Sequence, residues 1–363
     1  MLALTSCSVA GGPRSSQVAF ASTSGIEDVL AAARPRPTKD GRVVIITLDG
    51  VRAEDIFDGA DPTLQPGAKV AHLTKPEALM PLTHRLVQTR GVALGADRPG
   101  CGTVRTASGM NVSLPGYLEI FTGRKTRCRN NSCPPTDRAT VLDEAADAGL
   151  YPVASIGSWE VLSHAVSLGE SNVLVAAGAR RWPGARPVMG GRMEELVVAG
   201  ERTEPFPGHQ GYRPDVHTAA IALEYLRTQV PAVLHVGLGD ADEWGHRNQY
   251  ATYLDAIAKS DAFIGKVADT LDSMGDIGAR TTVVVTTDHG RNKDFQHHEA
   301  ASATSARTFV IAFGARVAPQ GVACSKRDVT LADVAPTVRA LLGLARDMNV
   351  EAGSPIEEIV GER

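Results

Sequence analysis

A broad excess of positive charge, long apolar runs and C-x-x-C cysteine pairs are all missing from this chain, and each absence removes a class of function. Its 37 Lys and Arg are outnumbered by 41 Asp and Glu, giving a net charge of −4. Recognition of a nucleic-acid backbone needs a basic face, so nucleic acid is not an expected partner. The one concentrated basic stretch, Arg124-Lys125-Thr126-Arg127-Cys128-Arg129, reads either as a solvated loop or as a strip facing a small anion. No apolar run reaches the roughly 20 residues that a membrane-spanning helix requires. The 5 cysteines include no C-x-x-C pair, which argues against a structural zinc site. Internal repeats and low-complexity blocks are absent as well.

What is present is the composition of an ordinary globular protein. The 363 residues are 43% hydrophobic and 21% charged, enough for one large α/β domain or two average ones. At the amino end, Leu4-Thr5-Ser6-Cys7 resembles a bacterial lipobox. The expectation is export, with a lipid anchor to the membrane on Cys7 and a periplasmic location. The basic and apolar parts of a secretory signal are largely missing before it, which leaves a cytosolic terminus as the alternative. Residues 8–39, rich in Ser, Ala, Gly and Pro, read as a tether. Beyond Cys7, an even set of cysteines remains: Cys101, Cys128, Cys133 and Cys324. In an exported chain they allow disulfides; Cys128 and Cys133 are close enough for a small loop, and the connectivity stays open.

From residue 40 to 350, strand and helix signals alternate. Apolar runs at Arg42–Leu48, Tyr151–Ile156, Asn172–Ala176, Val233–Leu238, Thr282–Thr286 and Thr308–Phe313 read as strands. Helices are expected near 83–89, from Ser113 with Pro115 in its first turn to Gly123, at 140–148, 159–167, 216–229, 249–273 and 330–344. Such alternation calls for an α/β three-layer sandwich with a mostly parallel central sheet. The Gly-, Pro- and Arg-rich segment 178–211 reads as an irregular insertion or lid, and 351–363 as a C-terminal tail.

Polar residues gather just past the carboxyl ends of three of these strands. Asp49 follows the first, Asp242 and His246 follow Val233–Leu238, and Asp288, His289, His297 and His298 follow Thr282–Thr286. A parallel sheet brings those ends to one edge, where open α/β sheets bind ligands. Asp242 and His246 are four apart, so one helical turn aims both at one ion. Carboxylates mixed with imidazoles suit zinc or manganese. Each cluster alone is also ordinary turn or cap chemistry; three on one edge favour a catalytic metal centre.

The ordered set Ile46-Thr47-Leu48-Asp49-Gly50, Ser113-Leu114-Pro115-Gly116-Tyr117 with Thr122-Gly123-Arg124, Asp242-Glu243-Trp244-Gly245-His246, Thr287-Asp288-His289-Gly290 and Leu331-Ala332-Asp333-Val334-Ala335-Pro336-Thr337 resembles the alkaline phosphatase superfamily. Its metal-dependent branch includes nucleotide pyrophosphatase/phosphodiesterases, cofactor-independent phosphoglycerate mutases and phosphopentomutases. The resemblance implies an alkaline-phosphatase-like fold and two divalent ions, Zn2+ or Mn2+. One ion would be held by Asp242, His246 and a later histidine, taken as His298 with His297 as the alternative. The other would be held by Asp49, Asp288, His289 and the oxygen of Ser113. It also implies that Ser113 is the nucleophile. A hydroxyl at a helix N-terminus feels partial positive charge, which agrees, although a plain N-cap serine has the same sequence. Arg291 and Asn292 read either as ligands of non-bridging phosphate oxygens or as solvated loop residues. Tyr117 stands where the Cys/Ser-x-Pro-x-Arg motif of sulfatases needs arginine, which disfavours that branch.

The expected function is therefore metal-dependent hydrolysis of a small-molecule phosphate mono- or diester through a phosphoserine. Phosphotransfer within the same superfamily is the first alternative; a sulfatase-like or non-catalytic binding protein is the second. Mutases carry a large cap, and only about 129 residues separate Ser113 from Asp242, which favours hydrolysis.

Overall fold

The run Arg42–Leu48 forms β1, an inner strand of an eight-stranded sheet. The computed structural model describes residues 41–64, 68–169, 172–179, 191–298, 302–349 and 351–361. The signal-like start and tether of residues 1–39 lie outside that range. The remaining strands of the sheet are β2 (Gly91–Leu94), β3 (Val153–Gly157), β4 (Val173–Ala177), β5 (Val233–Leu238), β6 (Thr281–Thr286), β7 (Val310–Gly314) and β8 (Gly321–Val322). Their order is β4-β3-β5-β1-β6-β7-β2-β8. All neighbours are parallel except around β7, which runs antiparallel to both β6 and β2.

The main helices are α1 (Pro81–Arg90), α2 (Ser113–Thr122), α3 (Val141–Asp147), α4 (Arg192–Arg202), α5 (Asp215–Gln229), α6 (Asp240–His246), α7 (Tyr250–Ser273) and α8 (Val334–Leu342). They fall into two layers because β1 is apolar on both faces. Val44, Ile46 and Leu48 pack with residues of α1, α4, α5 and α7, whereas Val43 and Ile45 pack with α2, α3 and α8. A strand buried on both sides reads as a continuous apolar run, as this one does. Each such side chain contributes about 1.5–3 kcal/mol by leaving water. The expected three-layer sandwich and mostly parallel sheet are what the chain forms.

Three expectations need correction. The supposed lid 178–211 contains α4, whose Met193 and Val197 are buried in the core beside α5. Its i,i+4 apolar stripe was hidden by the surrounding Gly, Pro and Arg; residues 180–190 lie outside the described range. The tail 351–363 ends in a short helix, Glu357–Val360, and buries Ile356 and Ile359 against α8, so most of it belongs to the fold. The segment near 159–167 is a 3-10 turn followed by one helical turn, Ser163–Val166, rather than a single helix. Cys128 bonds to Cys133, and Cys101 to Cys324. No described helix is long and apolar enough to cross a membrane.

Candidate metal centre and nucleophile

Because β1, β5 and β6 are adjacent and parallel, their carboxyl ends deliver Asp49, Asp242 and Asp288 to one place. Two glycines permit the close approach. A side chain at Gly50 would collide with the Asp242 carboxylate, and its φ of +63° is one that other residues rarely adopt. A side chain at Gly116 would collide with the Asp288 carbonyl, so glycine lets α2 press against the loop after β6.

That contact settles what Ser113 does locally. Val112, not Ser113, is the N-cap of α2, and Ser113 is the first helical residue. Its hydroxyl makes no cap bond. Instead Oγ lies 3.3 Å from Asp49 Oδ1 and 3.2 Å from His289 Nε2, buried at the helix N-terminus. Asn131, on the loop closed by Cys128–Cys133, accepts the Leu114 N–H with its Oδ1 at 3.0 Å.

Apart from His246, each ligand-type side chain has one atom tied off and another turned inward. Asp49 Oδ2 accepts from Tyr117 at 2.9 Å, and Asp288 Oδ1 accepts from Gly50 N–H at 3.0 Å. The Arg291 guanidinium donates to Asp242 Oδ1, leaving Oδ2 3.0 Å from His246 Nε2. His289 Nδ1 donates to the Gly290 carbonyl at 2.8 Å, and His298 Nδ1 to the Asn111 carbonyl at 2.6 Å. A carbonyl can only accept, so in both neutral rings Nε2 carries the lone pair. His298 Nε2 and His246 Nε2 face each other at 3.2 Å. This is how metal-ligating groups are held from behind.

The inward atoms form two overlapping groups: Asp242, His289 and His298 in one, Asp49, Asp288 and His289 in the other, each with its ligand atoms within 4.8 Å of one another. His246 adjoins the first and is the open side of the site, its side chain 46% exposed. Asp288 Oδ2 is buried with no hydrogen-bond partner among the described residues, 3.3 Å from His289 Nε2. An orphaned carboxylate oxygen facing imidazole lone pairs is a poor arrangement without a cation and a good one with it. The donor set of carboxylates, imidazoles and a hydroxyl fits a divalent ion of the zinc or manganese type.

Electrostatics point the same way. Burial pushes Asp49 well above the usual carboxylate range, reinforced by the Asp288 and Asp242 charges. Burial, then the Asp242 charge, pushes Asp288 up to about 6. Burial lowers His289 to about 4; His298 falls to about 4 through burial and the neighbouring His289. Asp242 differs: burial alone would raise it, but Arg291 and His246 hold it well below the usual range. The site thus strains to hold negative charge that a bound cation would relieve.

One sequence expectation changes here. Arg291 is 1% exposed, with Nε on the Phe295 carbonyl, one Nη on the Gln296 carbonyl and the other on Asp242. Its donors are committed to the protein, which corrects its reading as a phosphate-oxygen ligand. Asn292 is half-buried, its backbone N–H bonded to the His297 carbonyl and its Oδ1 without a hydrogen-bond partner. Of the adjacent histidines, His298 is buried in the cluster, while exposed His297 bonds Asp294 at 2.9 Å. His298→Ala is accordingly expected to weaken divalent-ion affinity by at least about 100-fold and His297→Ala by less than about twofold, read by competition with a chromogenic chelator.

The fold is α/β, and its candidate metal ligands gather at the carboxyl edge of the sheet. Residues 51–346 match the Metalloenzyme superfamily, and the chain belongs to it, within the alkaline phosphatase superfamily. The 2,3-bisphosphoglycerate-independent phosphoglycerate mutase of Haloarcula marismortui is 25% identical over 238 residues, covering 62% of this chain and 44% of that protein. The enzyme of the same name from Pseudomonas putida is 25% identical over 174 residues, covering 44% and 33%. The chain therefore spans less than half the length of these curated relatives. Among solved structures, phosphonate monoester hydrolase of Agrobacterium radiobacter superposes with a TM-score of 0.57 at 15% identity, covering 89% of this chain and 78% of that one. A 2-O GAG sulfatase gives 0.53 at 14%, covering 89% and 75%.

Proposed function

We propose that this chain hydrolyses small phosphate mono- or diesters through a covalent phosphoserine at Ser113, with two divalent ions, zinc or manganese, held by the residues above. The observation that carries the reading is the Ser113 hydroxyl, buried at a helix N-terminus within 3.3 Å of both Asp49 and His289. Asp242, His246 and His298 would hold one ion; Asp49, Asp288, His289 and Ser113 the other. When bound, such ions polarise phosphoryl oxygens and lower the pKa of a serine hydroxyl or a water. Ser113 Oγ then bonds to phosphorus as the bond to the leaving-group oxygen breaks opposite it; the hydroxyl proton goes to solvent, and the departing oxygen takes one up from solvent. Water subsequently cleaves the Ser113 ester, which returns the hydroxyl and releases phosphate. The α2 amides favour the negative charge throughout.

Hydrolysis is preferred to phosphotransfer because the span between Ser113 and Asp242 supplies β3, β4, α3, α4 and α5, all part of the core layers. Sulfate esters are disfavoured by Tyr117, which brings no positive charge to the nucleophile helix. Export is part of the proposal, and the Cys101–Cys324 and Cys128–Cys133 bonds support it, since such bonds persist in oxidising compartments. The test is turnover of aryl phosphate monoester, diester and sulfate ester with added zinc or manganese. Metal-dependent release from a phosphate ester is the expected result. Phosphoryl transfer to an added alcohol in preference to water would replace hydrolysis by a transferase, and sulfate as the best substrate would overturn the assignment.

A further inference from the structure

Behind Asp49, a line of polar side chains runs through the interior of the sheet and takes no part in the chemistry above. Tyr117 donates to Asp49 Oδ2 at 2.9 Å. The Thr47 hydroxyl lies beside the Tyr117 phenol, where it favours negative charge on the phenol oxygen as a donor would. Thr47 Oγ1 lies 3.0 Å from His235 Nε2, and His235 Nδ1 lies 2.8 Å from Ser155 Oγ. Thr47 and His235 are on neighbouring strands β1 and β5, while His235 and Ser155 sit opposite each other across β5 and β3. Ser155 and Thr47 are at most 1% exposed and His235 is fully buried, with the Phe121 ring edge-on at 4.6 Å.

A histidine inside a sheet layer is costly unless both ring nitrogens are satisfied. Here the chain of donors fixes every proton. The phenol donates to Asp49 Oδ2, and an ionised carboxylate there can only accept, so the single phenolic proton of Tyr117 is spent on it. The phenol oxygen then accepts the Thr47 hydroxyl proton, and the Thr47 oxygen accepts the His235 Nε2–H. Burial drives the His235 pKa down to about 3, so the ring is neutral and its bare Nδ1 accepts from Ser155. One arrangement satisfies all the members, and it ends by aiming a neutral donor at one chosen oxygen of Asp49.

We propose that Tyr117, oriented by Thr47, His235 and Ser155, is a positioning residue that decides which oxygen of Asp49 faces the reaction centre. With Oδ2 tied to the phenol, Oδ1 is the atom presented to Ser113 and His289, and the carboxylate cannot rotate. The neutral phenol achieves this without competing, as a cation would, for the charge of Asp49. The inference deepens the metal-site reading and rests on it for its consequence, but not for the proton arrangement.

The test uses the full chain with selectively 15N-labelled histidine. In metal-free wild type, long-range 1H–15N spectra are expected to show His235, assigned by its loss in His235→Gln, as the Nε2–H tautomer with no titration between pH 5 and 8. An Nδ1–H tautomer, or titration near the ordinary histidine value, overturns the arrangement. Calorimetric titration with zinc is then expected to show one ion binding about 10- to 100-fold more weakly in Tyr117→Phe and the other within about twofold of wild type. Thr47→Val, which leaves the phenol in place, should weaken the same ion and Thr47→Ser should restore it, so the test survives if Tyr117→Phe fails to fold. Wild-type affinity for both ions in Tyr117→Phe, or in Thr47→Val, overturns the positioning role alone. Failure of wild type to bind any ion overturns the metal-site reading as well.

Discussion

Ser113→Ala is expected to lower phosphate-ester turnover by at least about 1,000-fold, roughly 4 kcal/mol on the barrier. The substitution removes one oxygen from a buried position where it bonds neither backbone nor cap, so the fold should hardly notice. Val112 already occupies the N-cap, and Asn131 satisfies the Leu114 amide. The ligand atoms of Asp49, Asp288 and His289 remain in place. Ion affinity should therefore fall only modestly, by the share that one hydroxyl supplies. Turnover measured at saturating metal, beside calorimetric affinity, separates the two effects. Persistent turnover in Ser113→Ala would sink the nucleophile and leave direct attack by water.

Asp288→Asn is expected to have opposite effects on the metal-loaded and metal-free protein. In the loaded form, the anionic oxygen that has no other partner is lost, and the ion shared with Asp49 should bind at least about 100-fold more weakly. In the metal-free form the same change should stabilise. Burial raises Asp288 to about 6 in the folded protein against 3.8 for a solvated carboxyl, so the folded state binds more protons than the unfolded state between those values. Stability consequently falls as pH rises through that window, and above it ionised Asp288 costs about 3 kcal/mol. Asparagine carries no charge and keeps the acceptor for the Gly50 N–H. Thermal unfolding in chelator should show wild type weakening from pH 4 to pH 7 and the variant weakening less; equal pH slopes would refute the argument.

Strands and candidate ligands were legible because both are local signals. An apolar run of the right length marks a two-sided strand, and Asp242 with His246 or Asp288 with His289 sits within a turn of itself. The groups that orient them were not legible. Tyr117 serves Asp49 from 68 residues away, and the Asn111 carbonyl serves His298 from 187. A backbone carbonyl leaves no trace in residue type, and a tyrosine four places after Ser113 reads first as a core aromatic. Arg291 was misread for a related reason: an arginine beside ligands suggests phosphate, while its inward turn depends on Gly245, where a side chain would collide with the guanidinium. Helix α4 and the docking of Ile356 were missed because composition outweighed a short apolar stripe.

The position of β1 also sets an order of events during synthesis. The first strand to emerge lies between partners that begin at Val233 and Thr281, so it has no neighbour to pair with until most of the chain exists. Contacts of such long sequence separation make for slow folding and a prolonged exposure of apolar strand edge. Until β6 arrives, Asp288 and His289 are still on the free chain, and Asp49 faces Asp242 alone. The mutual repulsion at the edge of the sheet thus reaches its full strength only when β1, β5 and β6 are all in place.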